Sequence, residues 1–158
     1  METQSPPHHL DKVFNFPDAD LTLRSCNNVH FAVHRTVLHL CSSVFADMLS
    51  IPQNPSAEHS LSRPIVAMTE DSRALRLLLR FCYPRPVCEE PELGRIKDIK
   101  RAATLADKYD IDSLHARVER ALIGHDGPPH IAFAVAWRFS YEHAARAIAR
   151  QSLDVPDF

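Results

Sequence analysis

The residues best suited to chemistry are histidines and cysteines in the first half of the chain. His30, His34 and His39 follow one another at spacings of four and five residues, and Cys41 comes two residues after His39. Closely spaced imidazoles and thiols are typical zinc ligands, and a thiolate beside an imidazole is the attacking pair of a cysteine hydrolase. These residues define two candidate chemistries, a metal centre and a thiol nucleophile.

The elements that must position these residues begin with two strands. Leu21 and Leu23 alternate with polar residues, and a second alternation places Phe31 and Val33 on one side of the chain. This period of two predicts strands with a buried face. Residues 26–28, Cys-Asn-Asn, predict the turn between them, because asparagine tolerates left-handed backbone angles.

Two short helices are predicted next. From Thr36 to Leu49 the apolar residues recur at steps of three and four, and Ser42 or Ser43 is placed to cap the second helix. His39 and Cys41 then point to different sides of one helix, while His30 and His34 lie on a strand. The histidines do not converge as zinc ligands must, so we expect structural or surface roles for them, with no metal, no cofactor and no enzymatic activity.

The remaining chain predicts one more strand and several helices. Residues 64–68, Pro-Ile-Val-Ala-Met, suit a third strand, and Asp71 or a neighbour is a cap for the helix that ends near Tyr83. Later apolar positions at helical spacing, including Ile131, Val135 and Phe139, predict further helices. Residues 51–63 predict a surface loop.

Composition excludes several classes of function. The chain has 158 residues and a formal net charge of −2, so nothing in its charge favours nucleic acid or an anionic membrane. Its apolar runs are shorter than a membrane span requires, and the N-terminus does not read as a secretory signal. The four cysteines form no CxxC motif and are expected to be reduced. We expect an intracellular protein of the cytoplasm or nucleus.

The motifs, taken in order, resemble those of one family. Asp20 matches the acidic residue that usually opens the BTB/POZ domain, and the family's structural signature is matched by Phe31, His34, Ser42, Phe45 and Met48. The segments Phe16–Asp20, Ile51–Gln53, Phe81–Pro84 and Ala106–Asp110 are similar to a large BTB set of mushroom-forming (basidiomycete) fungi. The resemblance implies a mixed α+β fold, with a small three-stranded sheet flanked by five or more helices.

The resemblance also divides the chain. Residues 1–15 are expected to form a flexible N-terminal segment, 16–123 the BTB/POZ domain, and 128–158 a helical extension. In the family such an extension supports the partner-binding face. A longer C-terminal helical region is usual in similar fungal sequences, which leaves truncation of this one open.

The function implied by the resemblance is binding to other proteins. The most specific role is an adaptor that assembles a cullin-3 ubiquitin ligase. Six residues match the family's cullin-facing side, namely Ser50, Ile51, Gln53, Tyr83, Tyr109 and Asp110.

A homodimer is also expected from the resemblance, because in many BTB domains a segment before the first strand joins a swapped dimer. The dimer-face residues it implies are Leu10, Val13, Phe14, Asp20 and Arg35. Asp20 and Arg35 would form a charged pocket near that face, or else a structural ion pair or a turn cap. The His34 imidazole is expected to bond the backbone between strand and helix.

Two observations keep a second function open. Residues 48–58 contain no clear copy of the apolar-x-Glu motif of many cullin-3 adaptors, and no kelch array or zinc finger lies within this chain. The alternative is a stand-alone module for homo-oligomerisation or a transcription-associated scaffold.

Overall fold

The computed structural model describes residues 9–51 and 63–153, so most of the predicted loop at 51–63, including Gln53, lies outside the described residues. The chain forms two compact units, the first spanning Met1–Glu90 and the second Pro91–Phe158. None of the described helices is long and apolar enough to cross a membrane.

The first unit contains a sheet and three helices. Its elements, in chain order, are β1 (His9–Asn15), β2 (Leu21–Arg24), β3 (Val29–Val33), α1 (Arg35–Cys41), α2 (Ser43–Ser50), β4 (Ile65–Ala67) and α3 (Ser72–Cys82). The sheet order is β1-β3-β2-β4. β2 runs antiparallel to β3, whereas β1 is parallel to β3 and β4 is parallel to β2. Within the part of the chain that the structure describes, the sheet therefore has four strands, one more than the sequence predicts.

The predicted hairpin is confirmed. Leu21 and Leu23 are fully buried on β2, as their alternation predicts. Asn28 adopts the left-handed angle φ 61°, and its N–H donates to the carbonyl of Ser25. The Asn27 side chain bonds both the backbone N–H and the hydroxyl of Ser72, so the hairpin turn is joined to the start of α3.

The additional strand, β1, lies in the segment predicted to be flexible, and this prediction is wrong for His9–Asn15. The sequence pattern does not predict this strand, because its buried residues, Asp11 and Phe14, are three positions apart instead of two. The Asp11 carboxylate accepts from the N–H groups of Val13 and Phe14, at 2.9 and 3.0 Å, and the strand register shifts in this region. A strand with such an irregularity does not show the period-two pattern.

Serine and aspartate caps set the helices of the first unit. Ser42 has extended angles between α1 and α2, and its hydroxyl accepts from the N–H of Phe45 at 3.1 Å. Asp71 caps α3 in the same way through the N–H of Ala74, at 2.8 Å. Both caps satisfy a first-turn amide that has no partner within the helix.

The described residues of the second unit, 91–153, form four helices: α4 (Ile96–Tyr109), α5 (Asp112–Ile123), α6 (Pro129–Arg138) and α7 (Glu142–Leu153). α4 packs against α5, and α6 packs against α7. The predicted inner face of α6 needs correction, because Ile131 is 40% exposed and only Val135 of the three predicted residues is buried. Ala132 and Ala136 complete that face. Alanine is a weaker marker of a buried helix face than isoleucine, so the sequence pattern points to Ile131 in place of Ala132 and Ala136.

Candidate functional site

Three large apolar side chains are exposed on or next to the first two helices. Leu40, near the end of α1, is 80% exposed, and Ile51, directly after α2, is 64% exposed. Val44, in the first turn of α2, is 36% exposed. We call Leu40, Val44 and Ile51 the α1–α2 surface. Large apolar side chains that stay open to water on neighbouring elements are candidates for contact with another protein.

The helix α2 presents apolar residues on two sides. Val44, Met48 and Ile51 follow at helical spacing and so share one side, on which Met48 is half-buried. Phe45 lies on a different side of the helix and is fully buried in the core. Because Phe45 already anchors the helix, the outer apolar residues are not needed to attach α2 to the fold.

Five polar and aromatic residues around the start of α1 form a group that we call the Tyr83 cluster: Phe16, Asp18, Asp20, His34 and Tyr83. The Tyr83 hydroxyl oxygen accepts from the backbone N–H of His34 and lies 2.9 Å from Nδ1 of the same residue. The Phe16 ring stacks on the Tyr83 ring, with centroids 5.1 Å apart. The cluster thus joins the segment before β2, the start of α1 and the end of α3.

Hydrogen bonding within the cluster orients the His34 ring. In the neutral ring the proton lies on Nε2, because the Asp18 carboxylate that faces Nε2 can only accept, and Nδ1 then accepts from the Tyr83 hydroxyl. Nε2 lies 3.2 Å from the carboxylate of Asp18. The ring therefore bonds two side chains, which corrects the expectation that it bonds the backbone. The backbone N–H of His34 is a donor to the same Tyr83 hydroxyl.

Tyr83 is held in its neutral form. Burial raises the pKa of Tyr83 to about 12, and the hydrogen bond from His34 only partly offsets this effect. The side chain is 5% exposed. A buried, protonated phenol that already makes two hydrogen bonds is a structural group and not an attacking nucleophile.

Asp20 and Arg35 meet through the backbone. The Asp20 carboxylate accepts from the N–H of Arg35 at 2.8 Å. This N–H opens α1 and has no partner within the helix. Of the alternatives that the sequence left open, the observed contact is the turn cap, and it makes Asp20 part of the support of α1.

The other predicted dimer-face residues lie on β1. Leu10 and Val13 are 51% and 42% exposed, whereas Phe14 is fully buried against Tyr83 and Phe31. Leu10 and Val13 are thus available to a partner, and Phe14 belongs to the core. Their role in a dimer stays a prediction.

The six predicted cullin-facing residues differ in exposure. Ser50 and Ile51 are exposed at the end of α2, and Asp110 is exposed after α4, where it adopts φ 50°. Tyr83 and Tyr109 are buried, at 5% and 3% exposure. Gln53 lies outside the described residues. Ser50 and Ile51 are in the first unit and Asp110 is in the second, and the assignment of all six to a partner stays a prediction.

Two features escaped the sequence reasoning. Asp11 is 3% exposed and binds Arg76 of α3 through Nε and Nη2, at 2.9 and 2.6 Å. In the second unit, Trp137 is 75% exposed and stacks on Phe133 beside a cavity of about 620 Å³ between α6 and α7. Trp137 could have been found from the sequence, as the only tryptophan and one turn from Phe133.

The described residues offer no group of three or more His, Cys, Asp or Glu side chains that could hold a metal ion. His30 is buried on β3, and His34 belongs to the Tyr83 cluster. His39 is exposed near the end of α1. The three histidines therefore lie in separate environments.

Comparison with known proteins identifies the family. A family model for the BTB/POZ domain matches residues 11–126. Among solved structures, the chain is similar to the BTB domain of zebrafish PATZ1, with a TM-score of 0.50 and 20% sequence identity over 66% of this chain and 75% of that chain. No curated protein sequence matches the chain. The family model spans well over half of the chain and confirms the expected α+β BTB/POZ fold, which is that of a protein-interaction module. This chain belongs to the BTB/POZ domain family.

Proposed function

We propose that this chain is a non-enzymatic interaction module that acts as an adaptor in the assembly of a protein complex. The observation that carries the proposal is the α1–α2 surface, where Leu40 and Ile51 are 80% and 64% exposed. Covering such side chains with a partner is favourable by about 25 cal/mol for each Å² of apolar area removed from water. Exposed leucine and isoleucine side chains do not add to the stability of the fold. Contact with a partner protein is therefore the simplest explanation for Leu40 and Ile51 at these positions.

Cullin-3 is the partner we propose most specifically. Ser50 and Ile51 match the family's cullin-facing side, and Ile51 also belongs to the α1–α2 surface. The similarity of Phe81–Pro84 and Ala106–Asp110 to fungal BTB sequences supports a fungal cullin-3 as the one to test first. Such an adaptor would act in the cytoplasm or nucleus.

Titration calorimetry of the chain against the N-terminal domain of cullin-3 tests this proposal. We expect a submicromolar dissociation constant, which corresponds to about −8 kcal/mol or stronger. Ile51→Asp should weaken binding at least tenfold, because it places a charge in the apolar contact. The matched control is Leu153→Asp, an exposed leucine on α7 of the other unit, which should bind as the unmodified chain does. Folded protein that does not bind, or that binds equally well with Ile51→Asp, would overturn the cullin-3 proposal.

Homo-oligomerisation is the second candidate. It is favoured by β1, which forms one edge of the described sheet and exposes Leu10 and Val13. An edge strand has backbone groups free to pair with another chain. Light scattering should then report a dimer that dissociates in a Leu10→Asp, Val13→Asp double variant and persists with Ile51→Asp. A monomer at all accessible concentrations would remove this candidate.

A further inference from the structure

Two cysteines from distant parts of the first unit lie side by side. The Sγ atoms of Cys41 and Cys82 are 2.8 Å apart, although 41 positions separate them in the chain. Each is the last residue of its helix, Cys41 of α1 and Cys82 of α3, and these helices pack together. A disulfide bond is about 2.05 Å long, so a small movement of either side chain would bring the two sulfurs to bonding distance.

The two thiols differ in acidity. Both residues are half-buried. The hydrogen bond between the two thiols lowers the pKa of Cys41, even though burial acts in the opposite direction. The same hydrogen bond, burial and the neighbouring sulfur charges raise the pKa of Cys82 well above its ordinary value. One thiol is thus favoured as the attacking thiolate, and the other is placed to complete the exchange.

The remaining cysteines do not share this setting. Cys26 is exposed, and Cys88 is buried with its thiol 3.8 Å from the carbonyl of Arg80. A structural zinc site takes four ligands, and no group of even three suitable side chains occurs in residues 9–51 and 63–153. The chemistry that fits two adjacent thiols is therefore disulfide formation.

We propose that Cys41 and Cys82 are a redox-active dithiol that closes reversibly to a disulfide on meeting a low-molecular-weight disulfide. This modification site goes beyond the proposed adaptor function and does not depend on it. Closure would link the C-terminal ends of α1 and α3, next to Leu40 of the α1–α2 surface.

The reaction balances as two thiol–disulfide exchanges. The Cys41 thiolate first attacks one sulfur of the small disulfide, which forms a mixed disulfide on Cys41 and releases one small thiolate. Cys82 then loses its proton to solvent, and its sulfur attacks Cys41 to release the second small thiolate. The released thiolates take up protons from solvent. Two protein thiols are oxidised and one small disulfide is reduced to two thiols.

The test uses a Cys26→Ser parent protein, because the exposed Cys26 would otherwise form mixed or intermolecular disulfides. The folded parent is incubated with excess oxidised glutathione, its free thiols are alkylated, and the products are read by intact mass and peptide mapping. We expect two of the three remaining thiols to escape alkylation, with no glutathione retained and with one cross-linked peptide pair joining Cys41 to Cys82. Dithiothreitol should restore all three thiols.

Two further variants resolve the steps. Cys82→Ser should trap glutathione on Cys41 as a stable mixed disulfide, since no second thiol is present to displace it. Cys88→Ser is the matched control and should leave the yield of the Cys41–Cys82 link unchanged.

The proposal is overturned if Cys41 and Cys82 both remain open to alkylation in the folded parent under conditions that place glutathione on Cys26 of the unmodified chain. A cross-link that runs instead to Cys88, or between two copies of the chain, would overturn it equally. Because this decisive measurement is made on the parent, it does not depend on whether Cys82→Ser or Cys88→Ser folds.

Discussion

The Tyr83 hydroxyl oxygen lies 2.9 Å from the backbone nitrogen of His34, the residue that precedes the first turn of α1. Its neighbour Cys82 lies 2.8 Å from Cys41, the last residue of the same helix, measured between the sulfur atoms. Two consecutive residues at the end of α3 therefore hold both ends of α1. Leu40 and the exposed part of α2 are positioned through this attachment.

Removal of the Tyr83 hydroxyl should destabilise the first unit. Tyr83→Phe leaves the N–H of His34 without its acceptor and removes the bond to Nδ1. Losing a partner of a largely desolvated polar group costs about 1–3 kcal/mol. Urea unfolding followed by far-ultraviolet circular dichroism measures this loss.

The matched control for that variant is Tyr141→Phe in the second unit. The Tyr141 hydroxyl also lies close to a histidine Nδ1, that of His115, at 2.7 Å, and burial raises the pKa of Tyr141. The structure shows no backbone N–H of His115 on that hydroxyl, so we expect a smaller loss than for Tyr83→Phe. Equal losses would contradict a special role for the His34 amide.

Phe45 should be the anchor of α2. Phe45→Ala removes a fully buried ring and is expected to cost about 3–5 kcal/mol of unfolding free energy. Its neighbour Val44 is 36% exposed, and Val44→Ala should change stability by no more than about 0.5 kcal/mol. Thermal or urea unfolding of both variants compares inner and outer residues of one helix, and an unchanged melting temperature for Phe45→Ala would show that the placement is wrong.

The pair of Asp11 and Arg76 should make stability depend on pH. Burial raises the pKa of Asp11, but hydrogen bonds from Phe14, Arg76 and Val13 outweigh it, so the pKa lies below its ordinary value of 3.8. A carboxylate with a lowered pKa stabilises the fold above its unfolded pKa, and this contribution disappears as the pH falls through the folded pKa. Asp11→Asn should therefore cost about 1–3 kcal/mol at neutral pH, and the difference from the unmodified chain should shrink below pH 3.8.

Urea unfolding at a series of pH values measures that difference, and a constant gap at every pH would contradict the assignment.

Arginine variants provide a second check. Arg76→Gln breaks the contact with a buried carboxylate, whereas Arg146→Gln breaks only the exposed pair with Glu142. Exposed ion pairs contribute about 0–1 kcal/mol to stability. The loss of unfolding free energy should therefore be close to zero for Arg146→Gln and clearly larger for Arg76→Gln.

Oxidation of Cys41 and Cys82 should stabilise the chain. The link closes a loop of 41 residues in the unfolded state, and the loop-entropy relation gives an upper value of about 4 kcal/mol. Comparing the urea midpoint of the Cys26→Ser protein before and after oxidation measures the gain. A lower midpoint after oxidation would mean that closure strains the native helices more than it restricts the unfolded chain.

The parts of this fold that could be predicted are those with local signals. The hairpin at Asn28 and the caps at Ser42 and Asp71 each depend on residues within a few positions of one another. Their chemistry is visible in the sequence itself, because turn and cap residues act on their immediate neighbours. The signature of the BTB/POZ family is also visible in the sequence, because it consists of short segments of neighbouring residues.

The parts that could not be predicted join distant residues. Asp11 meets Arg76 across 65 positions, and Cys41 meets Cys82 across 41. No periodicity links such partners, and the sheet order that brings β1 beside β3 is not encoded in either strand alone. The buried Asp11 also made β1 difficult to predict. An ionisable residue in a sequence pattern indicates an exposed position, and the partner that allows its burial, Arg76, lies far along the chain.

The shortness of α1 gives its two attachments a further consequence. Seven residues are too few for a helix to persist by itself in water, where about 12–15 are needed. The helix is therefore maintained by its contacts, and release of Tyr83 and Cys82 would let its amides exchange with solvent without unfolding of the sheet. We therefore expect local unfolding of α1 to accompany fraying of the last turn of α3, and the slowest amide protons of α1 to report the free energy of that opening.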